Sequence, residues 1–75
     1  MKLDLRAIQT MSKSNLIQLM EDAIKAMDHS AFWLLSGIFT GRLESSSPLA
    51  EALWKESHAE NPNIKTAMRL IHDDQ

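Results

Sequence analysis

The chain has 75 residues, eight Lys and Arg against ten Asp and Glu, a net charge of −2 and no cysteine. That length suits one small domain, and without cysteine neither disulfides nor thiolate metal ligands can stabilise it. The basic residues are scattered, which excludes a polybasic arm for nucleic acid or anionic lipid. The longest apolar run, Ala31 to Leu35, falls far short of the ~20 residues of a membrane span.

Met1-Lys2-Leu3-Asp4 is not a charged start leading into the long apolar stretch of a secretory signal, so none is expected. The expectation is a soluble, cytoplasmic protein with no membrane partner. Valine is absent, and Ala, Leu, Met, Glu, Gln and Lys dominate, all good helix formers. No stretch alternates apolar and polar residues as a half-buried strand does. The fold class expected is all-α: one domain over residues 1–75, a compact bundle of four to five short helices completed by dimerisation, since so small a chain gains from burial against a second copy.

Asp4 is placed to cap a short first helix over residues 5–10, with Leu5 and Ile8 facing inward. Ser12 or Ser14 then caps a second helix over 13–27. There Leu16, Met20, Ala23, Ile24 and Met27 keep helical spacing, and Ile17 and Leu19 widen the stripe to about half the circumference. Asp28-His29-Ser30 are poor mid-helix residues and good capping residues. They predict a break before a third helix over 29–40, in preference to one continuous helix through residues 14–40. Gly41 suits a left-handed position after that helix.

Ser45-Ser46-Ser47-Pro48 marks the clearest boundary, with Ser47 as N-cap and Pro48 at the first helical position. The fourth helix, 48–58, is expected to bury Leu49, Ala50, Leu53 and Trp54. Asn61-Pro62 repeats the cap-plus-proline pattern and predicts a last helix over 62–72, with Ile64, Ala67, Met68 and Ile71 inward and Leu70 flanking.

The third helix holds a dense apolar stretch, His29 to Gly41. At 100° per residue, Ala31, Phe32, Leu34, Leu35, Ile38 and Phe39 share one face. Trp33 points the other way with Ser30, Ser36, Gly37 and Thr40, whose small side chains would let another backbone approach a large aromatic. Tryptophan is enriched where interfaces concentrate their energy. Trp33, Gly37, Thr40 and Trp54 are therefore the candidate partner or dimer interface; the competing reading makes Trp33 a core residue covered by the chain's own helices.

Motifs for catalysis are missing: no glycine-rich phosphate loop, no HExxH, no GxSxG. His29, His58 and His72 are too far apart for a local metal motif, so no catalytic residue, metal or cofactor is expected. Ser57-His58 superficially suggests a nucleophile with its base, but adjacent helical residues point about 100° apart, which predicts poor mutual hydrogen bonding.

The last two helices have the outline of a helix-turn-helix DNA reader, with Asn63, Lys65, Thr66 and Arg69 on the outer face of the second. Against this stand Glu51 and Glu56 on the preceding helix and the negative overall charge. The leading expectation is a small non-enzymatic binding or adaptor protein, regulatory in role, acting through protein–protein contacts as a homodimer. The alternative is a small DNA-binding transcriptional regulator using the 62–72 helix.

Overall fold

The computed structural model describes residues 2–74. Among these every regular element is an α-helix: α1 (Leu5–Thr10), α2 (Lys13–Lys25), α3 (His29–Gly41), α4 (Pro48–Ser57) and α5 (Ile64–Asp73). The chain divides into two compact units, one through Phe39 and one from Thr40 onward.

Helix starts follow the capping rule closely. The Asp4 carboxylate accepts the N–H groups of Arg6 and Ala7, at 3.1 and 3.4 Å. The Ser12 hydroxyl accepts from Asn15 at 3.2 Å, settling the choice between Ser12 and Ser14. Asp28 accepts the Ala31 N–H at 3.1 Å, and Ser47 accepts that of Ala50 at 3.4 Å. Each bond satisfies a donor that the first helical turn leaves without an intrahelical partner. Only α5 starts elsewhere than expected. Its cap is Asn63, whose Oδ1 accepts from Thr66 at 3.1 Å, so Asn61 and Pro62 stay outside the helix. The reason lies on α4: Glu56 Oε1 accepts the Asn63 backbone N–H at 2.9 Å and fixes the chain there.

The break between α2 and α3 is real and sharper than expected. The helix closes at Lys25. The Met27 N–H donates to Ile24 O at 3.0 Å, and the Asp28 N–H donates to Ala23 O at 2.9 Å. This pair of bonds is the Schellman ending, which needs a left-handed residue between its donors. Met27 takes that position with φ 56°. Its side chain is 80% exposed, so it does not belong to the α2 core stripe as its spacing predicted. Gly41, by contrast, is not left-handed: it is the last residue of α3, and no glycine has positive φ.

In the first unit the buried face of α2 comprises Leu16, Ile17, Met20 and Ala23, and that of α3 Ala31, Phe32, Leu35, Ser36 and Phe39. Three placements on these helices and α1 differ from expectation. Leu5 is 52% exposed, leaving Ile8 as the buried residue of α1. Leu34 is 46% exposed, because it lies about 130° round the helix from the middle of the face formed by Phe32 and Leu35. Ser36 is buried rather than outward. Its hydroxyl is small enough for the interior, and no buried side-chain polar atom among the described residues lacks a hydrogen-bond partner.

In the second unit α4 packs against α5. Leu49, Ala50 and Leu53 are buried on α4, and Ala67, Met68 and Ile71 on α5, as their spacing predicts. Trp54 does not join them, being 57% exposed. Among the described residues no helix is long and apolar enough to cross a membrane.

Candidate functional site

With Leu49, Ala50 and Leu53 turned inward, the opposite face of α4 is fixed by helical geometry. Pro48, Glu51, Trp54 and Lys55 follow one another at helical spacing and are all exposed, as is His58 just past the helix end. Pro48 can occupy the first turn because that position needs no N–H donor. Glu51 and Lys55, one turn apart, pair at 3.1 Å with about two thirds of each side chain exposed. In so open a setting the pair contributes little to stability, well under about 1 kcal/mol. Its consequence is a charge pattern, negative toward the N-terminal end of the face and positive toward the C-terminal end.

Trp54 projects from the same side of α4 as this pair. Its indole stacks on the His58 imidazole, with ring centroids 4.2 Å apart and planes inclined at 22°. Beside it an open groove of about 450 Å³ is lined by Thr40, Gly41, Leu43, Ser45, Ala50, Glu51 and Trp54. Thr40 and Trp54, both expected at an interface, thus border one groove. Leu43 and Ser45 also line it. Leu43 closes a turn by donating its N–H to Thr40 O at 3.0 Å, and Ser45 lies in a second turn closed by the Ser47 N–H donating to Glu44 O at 2.9 Å, a geometry that periodicity does not reveal.

Trp33 and Gly37 lie on α3. Trp33 is half-buried, with its ring edge-on to Phe32 at 4.9 Å and 83°. Gly37 is exposed, and a Cβ built there would meet nothing within 4 Å. The expected outward row of small residues around Trp33 is incomplete, because Ser36 is buried.

Ser57 and His58 do approach each other: Oγ and Nδ1 are 3.0 Å apart. The 100° argument fails because His58 has left the helix, with φ −103° and ψ 6°. The geometry nevertheless describes a helix end. Ser57 Oγ donates to Trp54 O at 2.8 Å, and His58 Nδ1 lies 2.9 Å from the same carbonyl. Without a proton between them, nitrogen and carbonyl would oppose lone pair to lone pair, so Nδ1 carries the proton and donates it. A donor at Nδ1 is no base for Ser57, whose own hydrogen is directed at the carbonyl. The trio satisfies the C-terminal end of α4, a position where free carbonyls need donors.

On α5, Lys65 and Arg69 are exposed one turn apart, Thr66 is half-buried, and Asn63 is occupied as the N-cap. Residues 58–63 separate α4 from α5, more than the about three to four residues that join the helices of a helix-turn-helix. The electrostatic feature of the first unit is Asp28. The Ala31 N–H holds its carboxyl below the usual carboxylate range, aided by the neighbouring His29.

Comparison with known proteins finds no matching family model, no matching curated protein and no matching solved structure.

Proposed function

We propose that this chain is a small helical adaptor without catalytic function, regulatory in role, that works through protein–protein contact as a homodimer and docks through the outer face of α4. The observation that carries the reading is Trp54, a large aromatic 57% exposed at the rim of an apolar-sided groove. Leaving an indole in water forgoes a stabilisation of about 2 kcal/mol that burial would supply. Tryptophan is also the residue most enriched among those that dominate binding energy. The chain's small size adds weight, because self-association is a common way for short chains without disulfides to gain buried area. The zero cysteine count suits a reducing, cytoplasmic setting.

Sedimentation equilibrium on the parent chain and on Trp54→Ala tests this reading. The parent should self-associate and the variant should lose most of that association while keeping its helix content. Equal association of the two would overturn the assignment of Trp54. A retardation of duplex DNA at low salt that Lys65→Ala with Arg69→Ala abolishes would move the function to α5 instead.

A further inference from the structure

The α4 face is self-complementary, and we infer that it docks antiparallel on the same face of a second copy. This inference rests on the reading of Trp54 as a docking residue and names its partner and register. An interface between identical copies related by a two-fold axis must present, on one patch, both a projection and the recess that receives it. The patch around α4 does so: Trp54 projects, and the groove bordered by Leu43, Ala50 and Glu51 lies beside it.

Charge fixes the direction. Glu51 and Lys55 are exposed on this face, four residues apart. A two-fold axis beside the level of residue 53 sets Glu51 against Lys55 of the second copy, twice over. The same axis brings Trp54 level with the groove of the second copy, on the side bordered by its Ala50 and Glu51. A parallel arrangement would instead set Glu51 against Glu51 and Lys55 against Lys55. The exposed charges therefore favour the antiparallel register and oppose the parallel one. A ten-residue helix spans about 15 Å, so the contact lies at the small end of specific interfaces and the dissociation constant is expected in the micromolar range.

The test is a charge exchange. Glu51→Lys makes the face wholly positive, and Lys55→Glu makes it wholly negative. Each variant alone should self-associate roughly tenfold more weakly than the parent, because two attractive pairs become repulsive. Mixed one to one, they should form a heterodimer with affinity restored toward the parent's. Both variants lose the same intrachain pair, and mixing cannot restore that, so recovery on mixing reports contact between copies. Circular dichroism of each variant checks that α4 remains folded. Single variants that associate like the parent, or a mixture no stronger than its components, would overturn the antiparallel register. If Trp54→Ala still abolishes association in that case, the docking role of Trp54 stands and only the register falls. If Trp54→Ala associates like the parent, or the parent stays monomeric at about 1 mM, the underlying reading falls too.

Discussion

Met27 offers a direct test of the local physics that separates α2 from α3. It holds φ 56° so that its own N–H and that of Asp28 can reach Ile24 O and Ala23 O. A residue with a Cβ in this region costs about 1–2 kcal/mol relative to the right-handed alternative. Glycine removes that cost, but its freer unfolded chain returns about 0.4–1 kcal/mol. The Met27 side chain is 80% exposed, so deleting it forfeits only about 0.4 kcal/mol of burial. The balance predicts that Met27→Gly stabilises the chain by about 0.5 kcal/mol. Valine is branched at Cβ and stiff, and strongly disfavours positive φ. Met27→Val should therefore destabilise by about 1 kcal/mol or more. Urea unfolding followed by far-UV circular dichroism measures both, with the slope unchanged if only stability moves. The informative quantity is the gap of about 1.5 kcal/mol between the two variants. A valine variant as stable as the glycine one would refute the left-handed assignment and, with it, the stored strain.

Two further substitutions test neighbouring elements. Gly37 sits inside α3 with right-handed geometry and open space where a Cβ would go, so Gly37→Ala should stabilise by about 0.5–1 kcal/mol in thermal unfolding. A destabilised variant would mean that this position needs glycine for close approach or for a different backbone. Asp28 supplies a pH dependence with a definite sign. Its folded-state carboxyl lies below its unfolded value, so its contribution is fully present above the ordinary aspartate range. That contribution is lost as pH falls through the folded value. Asp28→Asn keeps a side-chain acceptor but not the titration, so the parent should lose stability more steeply than the variant between about pH 5 and pH 2. Parallel curves for the two proteins would remove Asp28 from the acid response.

Much of the fold was legible because capping chemistry is local. Asp4, Ser12, Asp28 and Ser47-Pro48 each act on a backbone N–H two or three residues ahead, and sequence alone specifies such partners. Helix type was legible from composition, and the buried stripes of α4 and α5 from their spacing. Misreadings arose where a rule about regular helix was applied to residues that had left it. Met27 continues the α2 stripe in number but follows the chain reversal, and His58 follows Ser57 but not its helical dihedrals. The start of α5 depends on Glu56, seven residues before Asn63, a distance over which no capping motif operates.

The proposed docking face was half legible. Apolar size favoured burying Trp54 with Leu53, yet its flanks, Glu51 and Lys55, share its side of α4 and signal exposure. The groove could not be foreseen, because Leu43 and Ser45 reach it through turns rather than a periodic element. Ser36 shows the converse difficulty: a small polar residue is compatible with burial once its hydroxyl is satisfied, so polarity alone does not mark an outer face.

Docking through α4 would cover Trp54 in the associated protein. Trp33→Phe leaves Trp54 as the single tryptophan and keeps an aromatic ring beside Phe32. Its fluorescence emission should shift to shorter wavelength as the protein is concentrated through the micromolar range, in step with dimer formation seen by sedimentation. An emission spectrum that stays that of a solvent-exposed indole while dimers form would place the interface away from α4.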